Sequence, residues 1–154
     1  FAGTGNGFEP NKEMTRAMLV SAMYRLEGAN AEGQNPFVDV ADDAWYAEFL
    51  NVAFNAGVVT GISETEFGVG KYITREDMAV MIYNVMKALG TKFETSNTNF
   101  ADYDEISDYA KEAVGALTAK GIINGVGDNM FAPKATATRA QAALLVYAIT
   151  KGVA

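Results

Sequence analysis

Three times in 154 residues the chain writes a phenylalanine and, at a fixed offset of eight, an arginine preceded by threonine and followed by an apolar run. The copies lead from Phe8 to Thr15-Arg16, from Phe67 to Thr74-Arg75 and from Phe131 to Thr138-Arg139. A recurrence at constant spacing makes each copy the same small structural unit, and units of this kind bury their apolar faces against one another. Two further recurrences give the period. Gly57-Val58-Val59-Thr60-Gly61 returns 64 residues later as Gly121-Ile122-Ile123-Asn124-Gly125, and Phe37-Val38-Asp39 returns 63 later as Phe100-Ala101-Asp102.

Apolar spacing predicts two helices in each full unit. Ile106, Ala110, Val114 and Leu117 step by four, four and three, an amphipathic pattern stopped at Gly121. The counterpart runs from about Asp43 through Trp45, Phe49, Val52, Ala53 and Ala56 to Gly57. The second helix starts at the repeated threonine, with stripes at Met18, Ala22, Met23 and Leu26, at Met78, Ile82, Val85, Met86 and Leu89, and at Ala142, Leu145, Val146 and Ile149. Between the helices lies a short Gly-rich loop with scraps of extended chain. Segments rich in Gly and Asn near 28–36 and 90–99 read as linkers. The division is therefore 1–28, 29–90 and 91–154, all within one compact domain. Residues 1–28 supply only a loop and a second helix, so the first unit reads as truncated. Its apolar stripe then needs cover from a separate peptide, a neighbouring chain or the other units.

Composition removes whole classes of function. There is no cysteine and no histidine, which excludes disulfides, zinc sites of the usual kind and Ser-His-Asp or Cys-His catalysis. Twelve basic residues stand against 19 acidic ones, a net charge of −7 without a basic run, so the pattern that binds nucleic acid is missing. No apolar stretch approaches the roughly 20 residues of a membrane span. The opening Phe1-Ala2-Gly3-Thr4-Gly5 lacks a basic leader region, as a mature extracellular protein also would.

The threonines read as helix N-caps: Thr138-x-x-Gln141 is a capping box, Thr74-x-x-Asp77 a near version, and Thr15 has Met18 in that place. The arginines ask for more explanation. A cation just inside a helix start opposes the helix dipole, and Arg16, Arg75 and Arg139 all sit there. Either an anionic ligand binds them together with free backbone N–H groups, or they make structural ion pairs, with Asp39 or Asp102 of a neighbouring unit as candidates. Asp39 and Asp102 read as turn acids beside a core phenylalanine, or as polar ligand contacts. Trp45 and Tyr109 read as core, or as aromatic platforms for a sugar. Gly57, Gly61, Gly121 and Gly125 end helices and make turns, and also permit close approach to the backbone. The acid clusters around Asp39–Glu48 and Asp102–Asp108 lack the calcium-loop pattern and read first as helix-start acids, with calcium or paired-carboxylate catalysis as alternatives. No catalytic residue, metal site or cofactor is assigned.

The order Phe-x-Asp, aromatic, Gly-(Ile/Val)-x-x-Gly, Phe, Ile-Thr-Arg-Glu resembles the S-layer homology domain, most closely at Lys71-Tyr72-Ile73-Thr74-Arg75-Glu76-Asp77. The resemblance covers essentially the whole chain. It implies an all-α body of tandem helix-loop-helix repeats, arranged with pseudo-threefold symmetry around a central helical bundle with grooves between repeats. It also implies a non-catalytic anchor, outside the cell in a bacterial cell wall or S-layer, whose partner is an anionic secondary cell-wall polysaccharide, often carrying ketal-linked pyruvate. On that reading Arg16, Arg75 and Arg139 bind the carboxylate, Asp39 and Asp102 contact sugar hydroxyls, Trp45 forms an aromatic wall, and Gly57, Gly61, Gly121 and Gly125 approach the sugar. The alternative is an S-layer assembly module whose grooves bind protein segments of other chains. Val69 stands where the other copies have Pro10 and Pro133.

Overall fold

The computed structural model describes residues 9–20, 34–94 and 98–152. Among them lie helix α1, described over 16–20, then α2 (Ala47–Asn55), α3 (Arg75–Ala88), α4 (Asp108–Ala119) and α5 (Arg139–Gly152), with a 3-10 turn at Tyr103–Glu105 and no strand. The body is all-α. Phe8, most of the 28–36 linker and the stripe positions Ala22, Met23 and Leu26 lie outside the described residues.

Each repeated threonine caps its helix. The N–H groups of Met18, Asp77 and Gln141 each donate to the Oγ1 of Thr15, Thr74 and Thr138 at 3.2 Å. Only Gln141 completes the reciprocal box, its Oε1 accepting from the Thr138 N–H at 3.1 Å. At the other ends, Gly57 and Gly121 both take φ of 73°. In each case the next residue bonds back across the turn, Val58 N–H to Ala53 O and Ile122 N–H to Leu117 O, both at 2.9 Å. This is the Schellman arrangement that glycine makes inexpensive.

The extended scraps turn out to form the axis of the molecule. The residue before each threonine bonds to its counterpart in another unit. Met14 N–H donates to Ala137 O at 2.9 Å, Ala137 N–H to Ile73 O at 2.8 Å, and Ile73 N–H to Met14 O at 2.8 Å. The three bonds close a ring, and all three residues are fully buried. A second ring surrounds it: the N–H groups of Arg16, Arg75 and Arg139 donate to the carbonyls of Lys71, Ala135 and Lys12. Three copies of one phrase thus meet head to head, which is the pseudo-threefold body the resemblance implies. Helix α3 packs on α4 and α5, and Tyr83 of α3 donates to Glu112 of α4 at 2.8 Å.

Two helix starts move. α2 begins at Ala47, not near Asp43, because Ala44 and Ala47 form tight turns back to Ala41 and Ala44. Trp45 therefore precedes the helix. Ile106 is buried but lies ahead of α4, after the 3-10 turn. The stripe residues Met78, Ile82, Val85 and Met86 are buried as expected, whereas Leu89, the C-cap of α3, is exposed.

Candidate functional site

A peptide group is held between an acid and an arginine at two equivalent places. Asp39 accepts from the N–H groups of Phe67 and Gly68 at 2.8 Å and Val69 at 3.2 Å. The same Phe67 gives its carbonyl to Arg16 Nε at 3.0 Å. Asp102 accepts from Phe131 N–H at 2.9 Å and Ala132 N–H at 2.8 Å, while Phe131 O accepts from Arg75 Nε at 2.8 Å. The guanidinium groups also lie over the rings of Phe67 and Phe131, 4.7 and 4.9 Å from the centroids. Thus Arg16 and Arg75 are received by the phenylalanine of the following unit, not by their own. Phe37 and Phe100 pack against Phe67 and Phe131, both with centroids 5.5 Å apart.

This corrects two parts of the sequence-based chemistry. No direct ion pair joins Arg16 or Arg75 to Asp39 or Asp102: a phenylalanine peptide stands between them and is bonded to both. Nor are the helix-start N–H groups of α3 open to an anion. Arg75 N–H donates to Ala135 O, Glu76 N–H to Pro133 O and Asp77 N–H to Thr74 Oγ1. Packing of the units against one another has already satisfied the donors that a lone helix would leave orphaned.

The arginine side chains are the floors of two grooves. In the first, Arg16 Nη2 also donates to Thr60 O at 2.7 Å, and Nη1 lies 3.7 Å from Asp77 Oδ2. Asp77 in turn accepts from the hydroxyl of Tyr109 at 2.6 Å. Val58, Val59, Thr60, Val80, Met81 and Asn84 complete the lining of a cleft of about 70 Å³. In the second, Arg75 Nη2 donates to Asn124 O at 3.3 Å. The cleft is about 560 Å³, walled by α3, the loop from Gly121 to Val126 and α5. Among the described residues no carboxylate lies within ion-pair distance of Arg75 and its Nη1 has no partner. Burial pulls both guanidinium groups below their ordinary value; Asp77, then Tyr109 and Asp39, oppose this at Arg16, whereas Asp102 alone does so at Arg75.

One further charged cluster adjoins the first groove. Glu76, 2% exposed, accepts from Lys134 Nζ at 2.5 Å, Ser107 N–H at 2.9 Å and Ser107 Oγ at 2.8 Å. Burial alone would raise its carboxyl, but these partners outweigh burial and hold it below the ordinary glutamate value. The corresponding positions beside the other two arginines are Ala17 and Ala140. Sequence reading passed over Glu76 because an acid near a helix start has a sufficient explanation in the dipole.

The remaining candidates fall as follows. Arg139 is 4% exposed and joins the outer backbone ring. Trp45 and Tyr109 are each 63% exposed, and each stands twelve residues before the glycine that ends its helix. Their equivalence, obscured by one extra residue in the preceding turn, is visible once the helix ends are aligned. Trp45 meets Tyr46 edge-on at 5.3 Å. At Gly61 a Cβ would sit 2.5 Å from Glu66 O and from Phe37 Cε1; at Gly125 it would sit 2.5 Å from Met130 O. These two glycines answer to the loop's own packing.

Such a body, with an arginine-floored groove at each described junction, is a module built of structural repeats. The S-layer homology domain model matches residues 36–79 and 99–143, more than half of the chain. The chain belongs to the S-layer homology domain family. It is 35% identical over 150 residues to an amylopullulanase of Thermoanaerobacterium thermosulfurigenes, covering 95% of this chain and 8% of that protein. It is 31% identical over 141 residues to the surface-layer 125 kDa protein of Lysinibacillus sphaericus, covering 89% and 12%. To a cellulosome-anchoring protein of Acetivibrio thermocellus it is 29% identical over 147 residues, covering 92% and 33%. The chain therefore spans a third or less of the length of these relatives.

Proposed function

We propose that the chain is a non-catalytic module that anchors a protein at the bacterial cell surface by holding an anionic, pyruvylated secondary cell-wall polysaccharide in the grooves between its units. Family membership, together with the surface-layer and cellulosome-anchoring relatives, supports cell-surface anchoring and an extracellular place at the wall. That enzyme and non-enzyme relatives are matched over one shared short stretch supports a non-catalytic part. The acidic character of the glycan rests on one observation: Arg75, 6% exposed, lines a cleft of about 560 Å³ with no carboxylate among the described residues paired to it. A carboxylate there would gain a charge-assisted contact worth about 1.5–3 kcal/mol.

In this reading Arg16, Arg75 and Arg139 are the groove floors. Asp39 and Asp102 act as positioning residues, fixing the peptide that receives the guanidinium. Gly57, Gly61, Gly121 and Gly125 shape the loop beside it, and Trp45 and Tyr109 offer exposed rings. The unit boundaries 1–28, 29–90 and 91–154 belong to the same proposal. Several weak grooves on one polymer would add avidity. The test is co-sedimentation with native walls, walls stripped of polysaccharide and walls freed of pyruvyl groups. Retention on native walls alone is expected. Equal retention on all three preparations rejects the glycan and favours a protein partner.

A further inference from the structure

The two described grooves share a floor and differ along the facing wall, and one wall position differs in charge beside the arginine. The third residue of the wall helix is Asp77 in α3 and Gln141 in α5, and the two side chains do opposite things. Gln141 is long enough to reach back to its own N-cap, where its Oε1 accepts from the Thr138 N–H. That leaves the Arg75 groove without an acid among the described residues. Asp77, one carbon shorter, makes no such return bond. Its carboxylate faces Arg16 Nη1 at 3.7 Å and takes the Tyr109 hydroxyl at 2.6 Å, so the seat a ligand carboxylate would use is already filled. The acids on the loop side do not separate the grooves, because Asp39 and Asp102 occupy equivalent places in both.

We propose that this position is the specificity determinant of the grooves: an acidic sugar binds at Arg75, where Gln141 is uncharged and bonded to its own N-cap, and is refused at Arg16, where Asp77 already supplies the carboxylate. The inference rests on the anionic-glycan reading above and adds which groove takes the charge and which residue decides it. A second carboxylate beside Asp77 would lie close to a like charge in a partly desolvated cleft, a strongly unfavourable arrangement. Uncharged sugar units with hydroxyl groups alone face no such penalty at Arg16.

The arginine Nε–H groups give a site-resolved readout, since each is held by a carbonyl. The probe is a methyl hexoside bearing a ketal-linked pyruvate, titrated into the whole chain and followed by 15N–1H spectra. Expected in the unchanged protein is a shift of the Arg75 signal and none at Arg16. Asp77→Gln, which gives Thr74 a capping-box partner, should bring Arg16 into response. Gln141→Asp should raise the concentration needed to shift Arg75 by tenfold or more. The two variants decide independently if one of them folds poorly. Equal response of both arginines in the unchanged protein, or exchanged residues that leave both responses as they were, overturns the assignment while the glycan reading stands. No response to the pyruvylated sugar at any arginine, with walls still bound, removes the acidic-glycan reading and this inference with it.

Discussion

The Arg16 groove and the Arg75 groove are made from the same parts in the same order. An Asp–peptide–Arg sandwich, a phenylalanine under the guanidinium and a glycine-bounded loop recur with bond lengths that agree within a few tenths of an ångström. What differs lies on the facing helix and, at the first groove, on α4, which brings Tyr109. The first groove has Asp77, Asn84 and the hydroxyl of Tyr109; the second has Gln141, Leu144 and Tyr147, the last two largely exposed. Repetition has kept the device that joins one unit to the next and varied the wall of the groove beside it. On the proposal above, assembly and recognition then fall to different residues, with the arginine common to both.

The shared frame is the easiest part to break. A Cβ at Gly61 meets two backbone oxygens and a phenylalanine ring, and at Gly125 one backbone oxygen and a more distant ring. Gly61→Ala and Gly125→Ala should each cost about 3 kcal/mol or more in urea unfolding, Gly61 the more, because the clash is with backbone and cannot be relieved by a rotamer. Next come the acids. Asp102 is 5% exposed, so Asp102→Ala should cost on the order of 3 kcal/mol by leaving buried N–H groups unpaired. The half-buried Asp39 should cost less on the same change, since its carboxylate lies nearer the surface and water can take its place when it is removed. Equal losses would mean that the two sandwiches are alike in solvation after all.

A pH titration sharpens the comparison further. The carboxyls of Glu76 and Asp39 are both held below their ordinary values of 4.5 and 3.8: burial opposes this, and bonds from Lys134 and Ser107 or from the 67–69 backbone prevail. A depressed carboxyl contributes stability above its unfolded value and loses it as the pH falls through its folded one. The melting temperature should therefore be level above about pH 5 and decline below it. Glu76→Gln should flatten part of that decline, and an unchanged slope would assign it to other acids. Smallest of all, Tyr109→Phe should cost about 1 kcal/mol while leaving the Arg75 groove untouched.

Much of this frame was legible in the residues. Thr as cap, glycine as helix stop and the order of motifs follow from local chemistry, which sequence carries directly. The central rings were not legible, because the apolar residues before each threonine (Met14, Ile73, Ala137) declare burial but not the carbonyl they meet. For the same reason the free N–H groups expected beside the arginines were an error: a helix start looks orphaned until the next unit is docked on it. In the sequence Asp77 and Gln141 differ only as the poorer and the better cap partner. The difference of one carbon that sends one to the groove and the other to the cap shows only with the threonine and arginine in place.

Where a bound acidic sugar lies decides between the grooves most directly. A crystal structure of the chain with a pyruvylated wall-polysaccharide fragment should place the ligand carboxylate within about 3 Å of Arg75 Nη1, with Asp77 still against Arg16. A fragment whose carboxylate rests on Arg16, or on neither arginine, would contradict it.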